Sequence, residues 1–270
     1  MKYEKCAKRA ALQKHGGSCD RVGNHAIARR ARPSHHGDMD KATVKRILGI
    51  APPSTYLLEE EAYARLAAKG FAPDAIIDVG AWEGNWTRLA RTQFGEVPSL
   101  MVEPQAAKRP FLEGVCSDFP LARYVSTVLS ASAGETVTFF EMLSGSSFLQ
   151  ERSNAPRTET KLTTRTLDEV AADLPGSSLF LKIDVQGAEL LVLAGGQDTL
   201  ARSEVVQLEV ALLPYNEGAP TFLEVLSYMD ERGFVPFDFS GESRPNGHLV
   251  QIDLIFVRRE SPLRPTSISF

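Results

Sequence analysis

Residues 76–87 read I-I-D-V-G-A-W-E-G-N-W-T. An apolar run ends at Asp78, Gly80 and Gly84 flank a turn, and Asn85 to Gln93 has helical spacing. A glycine at a strand end lets a ligand approach the backbone, and a helix N-terminus favours a negative group. In doubly wound α/β folds this corner binds a nucleoside cofactor where the strand order reverses. The turn lacks the middle glycine of G-x-G-x-x-G, which makes a dinucleotide the weaker reading.

Outward from this corner, strands and helices alternate. SLMVEP (99–104) reads as a strand, 105–117 as a helix and ARYVST (122–127) as a third strand. SLFLKID (178–184) is a fourth strand, followed by a helix around 186–194. VVQLEVAL (205–212) is a fifth, followed by a helix at 219–232. Such alternation predicts a Rossmann-like α/β sheet, parallel and doubly wound, with helices on both faces. FVPFDF (234–239) and HLVQIDLIFV (248–257) are joined by Pro245–Asn246–Gly247, too closely for a parallel crossover, so they should form a terminal antiparallel hairpin. Residues 134–166 interrupt the alternation. ETVTFFEM (135–142) and ETKLTTRTL (159–167) read as strands flanking the small-residue loop SGSS (144–147), a β insertion between core strands 3 and 4. Ahead of the sheet, 41–48 and 57–69 read as helices, the second with Leu58, Ala62, Leu66 and Ala67 on one face.

Chemistry concentrates at the strand ends. Glu103 closes the second strand 25 residues beyond Asp78, where an acid accepts charge-strengthened hydrogen bonds from both ribose hydroxyls. Asp184 closes the fourth strand in L-K-I-D-V-Q-G-A-E (181–189), across the crevice from the first. It reads as a general base or acceptor orienter, or as a cap of the next helix. Lys182, charged inside an apolar strand, needs a partner. Glu209 and His248 are placed on the substrate side. Glu209 lies in the fifth strand, with the further reading of a carboxylate pair with Asp184 around a divalent cation. His248 follows the hairpin turn and is the one histidine outside the first 40 residues. No metal is assigned.

Of the 270 residues, 43% are hydrophobic and 24% charged, which excludes fibrous and wholly disordered chains. No apolar run is long enough to span a bilayer. The three cysteines are irregularly spaced, so a disulfide framework is not expected and a cytoplasmic setting is. Residues 1–40 hold nine Lys or Arg against four acids and no apolar periodicity, and read as a disordered basic tail. A zinc site from Cys6, His15, Cys19 and His25 is the sharper alternative there. The remainder is acidic, which excludes a general attraction to nucleic acid.

Together IDVGAWEG, VEP (102–104), SGSS, TLDEV (166–170) and above all LKIDVQGAELLVLAGG (181–196), with VVQLEV and GFVPFDF behind them, resemble the FkbM family of S-adenosylmethionine-dependent methyltransferases. The resemblance covers about residues 75–240 and implies a seven-stranded methyltransferase sheet with S-adenosyl-L-methionine as cofactor. It also implies O-methylation of a sugar, glycolipid or secondary metabolite, so a small-molecule or glycan acceptor. It implies that Asp78, Gly80, Ala81 and Gly84 line the methionine and ribose part of the cofactor, that Glu103 holds the ribose diol, that Val128 lies near adenine and that Asp184 faces the methyl-transfer centre. The family's first motif more often carries Asn where this chain has Trp82. The domain is then expected at 41–260, with 261–270 as a second tail. A NAD-dependent oxidoreductase and a catalytically inactive binding protein remain the alternatives.

Overall fold

Strand β1, Ala75–Val79, is buried along its whole length. It stands between parallel neighbours β2 (Ser99–Val102) and β7 (Leu179–Ile183), themselves buried throughout. Strands covered on both faces need continuous apolar sequence, which AIIDV, SLMV and LFLKI supply. The computed structural model describes residues 55–265 except 143–144 and 153–155, together with residue 267. The expected 41–48 helix, the basic tail and its zinc alternative lie outside the described residues.

The main sheet has seven strands, with β3 (Ala122–Val125), β2, β1, β7, β8 (Ser203–Ala211), β10 (Gln251–Arg258) and β9 (Phe234–Ser243) side by side. The first five are parallel, and β10 runs antiparallel to both β8 and β9. The hairpin expected from Pro245–Asn246–Gly247 is therefore present. Pro236, which has no N–H to give a ladder, sits in β9 at the sheet edge. Strand order reverses between β1 and β7, the switch point where such sheets take ligands.

Alternation along the strands assigns the two faces. On one lie α1 (Thr55–Ala68), α2 (Asn85–Phe94) and α3 (Arg109–Asp118). Tyr63, Phe71, Trp86 and Phe94 pack there around Phe180, edge-on or tilted, with Trp86 and Phe180 centroids 5.2 Å apart. Leu112 and Val115 of α3 meet Met101. The other face carries α4 (Leu167–Ala171), α5 (Glu189–Ala194), α6 (Gln197–Arg202) and α7 (Phe222–Glu231) against Ile77, Leu100, Leu181 and Leu208. Leu263, beyond the expected end of the domain, is also buried, against the α1 face.

The insertion forms a second sheet in which β6 (Thr158–Arg165) lies between β4 (Val128–Leu129) and β5 (Thr136–Glu141). Two boundaries and one buried face differ from expectation for local reasons. ETKLTTRTL stops short of Leu167 because Thr166 caps α4 in a reciprocal box with Glu169. The helix expected from 186 starts at Glu189, because Gln186 and Gly187 take left-handed φ values of 57° and 100°. On α1 the buried face is Glu59, Ala62, Tyr63 and Leu66, one residue round from the predicted stripe.

Candidate active site

A cavity of about 470 Å³ opens over the C-terminal ends of β1, β2, β7 and β8. One wall is the turn after β1. Gly80 has φ 78°, and a Cβ there would overlap the backbone carbonyl oxygen of Asp184, so β1 and β7 come together only with glycine at this position. Glu103, 4% exposed, faces the cavity with both oxygens already anchored. The Trp82 N–H donates to Oε2 and the Gln105 N–H to Oε1, each at 2.9 Å. Burial raises the Glu103 carboxyl above its ordinary range and these two N–H groups oppose the rise. A carboxylate oxygen can accept more than one hydrogen bond, so Glu103 has capacity for the two hydroxyls of a vicinal diol. Val128, Thr127 and Pro104 supply an apolar patch beside it.

Trp82 sits at φ 49°, a conformation that Asn tolerates and Trp rarely adopts. Its backbone N–H performs the anchoring, so Trp serves there as well as any residue. Its ring is covered by the Lys108 ammonium, 3.1 Å from the centroid, and Lys108 also pairs with Glu83 at 2.8 Å.

The opposite wall is built of buried charge. Lys182 stands 3.5 Å from Asp78 Oδ1 and 3.3 Å from Asp184 Oδ2. Burial alone would lower its pKa, yet Asp184, Asp78, Asp253 and Glu59 carry it above its ordinary value. Asp184 also accepts from Gln186 Nε2 at 2.9 Å. Glu59 from α1 and Asp253 from β10 add two further carboxyls, each pushed up to about 7. Burial is the main cause for both, reinforced by repulsion from Asp253 on Glu59 and from Asp184 on Asp253. Across the ladder Asp253 opposes Glu209, which burial and the charges of Asp184, Asp253 and Glu189 raise well above the carboxylate range.

Gly80, Ala81, Glu103, Val128, Asp184 and Glu209, predicted from the sequence, line this one cavity. Three predicted residues do not. Asp78 is fully buried below the floor, where it accepts from Thr87 Oγ1 at 2.7 Å and faces Lys182. Its alternation along β1 aims it under α2 rather than upward. Gly84 makes room for Val115, Met101 and Leu112 of the α3 packing. His248 is exposed on the turn between β9 and β10, with Glu242, Ser243 and Gln251 on the cavity side instead. Asp184 is not a helix cap, since α5 begins after Ala188. Glu189 does that local work, accepting the Val185 and Gly187 N–H groups.

Sequence reasoning missed Glu59, Gln186, Gln251, Asp253 and Tyr215. Glu59 was readable as the i−3 and i−4 neighbour of Ala62 and Tyr63 on a helical face. Gln251 and Asp253 were readable as the polar members of the face shared with Ile255 and Val257. Tyr215, which lies in a loop, carried no signal. From the insertion come Phe139, Ser146, Ser147 and Phe148. Among the described residues no group of three or more His, Cys, Asp or Glu is arranged to hold a metal ion.

The sheet order and the glycine corner define a doubly wound α/β architecture with a ligand crevice at its switch point. The chain belongs to the FkbM methyltransferase family, whose domain model matches residues 78–236. Its cofactor is S-adenosylmethionine, and the family membership replaces the oxidoreductase alternative. No curated protein matches the chain in sequence. Among solved structures it is similar to the precorrin-6y C5,15-methyltransferase of Geobacter metallireducens (12% identity, TM-score 0.42, covering 78% of this chain and 94% of that one). It is also similar to the magnesium protoporphyrin IX methyltransferase of Synechocystis with bound S-adenosylhomocysteine (12% identity, TM-score 0.43, 82% and 89% covered). Among the described residues no helix is long and apolar enough to cross a membrane.

Proposed function

We propose that the chain O-methylates a hydroxyl of a sugar, glycolipid or secondary metabolite, with Asp184 as the base that receives the acceptor proton. The observation that carries this reading is the place of Asp184. Its carboxylate closes β7 at the switch point, in the same cavity as Glu103, between Lys182 and Gln186. Bound S-adenosylmethionine supplies an already activated methyl group. The chain's own residues then have two tasks. Glu103 fixes the ribose, and with it the direction from which the acceptor must come. Asp184 aligns the acceptor O–H and takes its proton during attack, while the Lys182 ammonium, 3.3 Å from Oδ2, holds the carboxylate in place. Phe139, Ser147 and Phe148 reach the cavity from the insertion, so acceptor shape is read partly there.

Transfer of a labelled methyl group to a panel of glycans and polyketides tests this. Label should appear on a hydroxyl oxygen, and Asp184→Asn should lower the rate by roughly 10²–10⁴-fold. Label on nitrogen or carbon, or undiminished transfer by the variant, would refute the assignment.

A further inference from the structure

Gln186 occupies the left-handed region that side chains avoid, and its neighbours hold it there. Asn216 Nδ2 donates to its carbonyl. Glu189 accepts the Gly187 N–H at 3.0 Å, and Ser147 Oγ donates to the Val185 carbonyl at 3.1 Å. This backbone aims the Gln186 amide between two carboxyls. Its Nε2 lies 2.9 Å from Asp184 Oδ1 and 2.6 Å from Glu209 Oε2. Its Oε1 lies 2.6 Å from Tyr215 Oη.

The rest of the ring is overdetermined. Tyr215 Oη is also 3.1 Å from Gln251 Oε1, and Gln251 Nε2 meets Glu209 Oε1. A phenol has one proton and cannot serve two carbonyl oxygens. Turning the Gln251 amide end for end removes the conflict, because its oxygen and nitrogen occupy equivalent positions. Nε2 then donates to Tyr215 Oη, and Oε1 faces Glu209 Oε1. Two oxygens in hydrogen-bonding contact need a proton between them, and the Glu209 carboxyl is the group able to carry it.

We propose that Glu209 is a neutral acid in the resting enzyme, and that Gln186 is a positioning residue tying that acid to Asp184, which leaves Asp184 as the single proton acceptor of the pair. The proposal rests on the reading of Asp184 as the acceptor-side base. The surroundings agree. Glu209 faces Asp184 from β7, Asp253 from β10, Glu189 from α5 and Tyr215 from the segment after β8. Among the described residues no Lys or Arg pairs with it, whereas Lys182 pairs with Asp184. Of two adjacent carboxyls, the one without a cation beside it is the one that keeps a proton.

Infrared difference spectra of the full chain test this. At pH 7, wild type minus Glu209→Gln should show the carbonyl stretch of a protonated carboxyl. Loss of only carboxylate bands would overturn the neutral acid. Glutamine presents an NH₂ donor group and a carbonyl acceptor where the neutral acid presents an O–H donor and a carbonyl acceptor, so this variant should fold. Glu209→Leu gives the same difference if it does not. Gln186→Leu should raise the pH at which the band disappears by about one unit or more. A lowered Tm with unmoved titration would overturn the positioning role and leave Gln186 as scaffolding. Calorimetry with S-adenosylhomocysteine on the same samples keeps the two readings apart. Failure of wild type to bind would sink the cofactor site while the infrared result stands.

Discussion

Replacing Glu103 by alanine probes the proposed ribose contact. Trp82 and Gln105 N–H groups fix both carboxylate oxygens at 2.9 Å, so the acceptors are in place before a ribose arrives and little ordering cost remains. A hydrogen bond to a charged group is worth about 1.5–3 kcal/mol. The two ribose bonds share one carboxylate and do not add fully, so Glu103→Ala should lose roughly 2–4 kcal/mol of binding. At about 1.4 kcal/mol per decade, Kd for S-adenosylhomocysteine rises by roughly 30- to 700-fold. Glu103→Gln keeps the shape but turns an amide NH₂ toward the Trp82 or Gln105 N–H, and should fall between wild type and Glu103→Ala. Isothermal calorimetry reads the affinity and circular dichroism confirms the fold. An affinity within threefold of wild type, in a folded Glu103→Ala, would refute the ribose assignment.

Gly80→Ala should lower Tm by roughly 5–10 °C, an effect of about 3 kcal/mol, because its Cβ meets the Asp184 carbonyl oxygen at a φ of 78°. An unchanged melting curve would show that the corner relaxes freely. Asp184→Asn should cut turnover while leaving S-adenosylhomocysteine affinity within a few-fold of wild type, and a parallel loss of both would place Asp184 in the cofactor site. Glu59, raised by burial to about 7 in the folded state, binds its proton more tightly there than in the unfolded chain. Its contribution is therefore full below about pH 4.5 and is lost as pH rises through 7. Glu59→Gln should melt near wild type at pH 5 and several degrees higher at pH 8. The reverse order would show that Glu59 is stabilising as an anion.

Much of this was legible because the core strands are short, apolar and separated by helices of ordinary length. AIIDV and LFLKI could be placed in a parallel sheet without knowing their neighbours, and the Pro245–Asn246–Gly247 turn fixed the hairpin. The strand-end acids Glu103 and Asp184 followed from the same geometry, since a strand's last residue reaches the crevice. Placement departs from expectation where alternation or tertiary packing decides it. Asp78 carries a polar side chain one step too early, so it points beneath α2 and serves Lys182 and Thr87 instead of the cavity. Gly84, expected beside the cofactor, does not line the cavity and packs against Val115, Met101 and Leu112, the first and last of them on α3. The ring of Gln186, Glu209, Tyr215 and Gln251 joins the turn after β7, strand β8, a loop and β10, and no local pattern announces contacts between residues 29 and 36 positions apart.

In the proposed reaction one cavity at the β1–β7 switch point holds the cofactor against Glu103 and presents the acceptor to Asp184. A crystal structure of the full chain with S-adenosylhomocysteine tests it most directly. The ribose hydroxyls should lie on Glu103 and adenine against Val128, with the sulfur directed toward the space beside Asp184. A cofactor bound elsewhere, or with its sulfur turned away from Asp184, would contradict it.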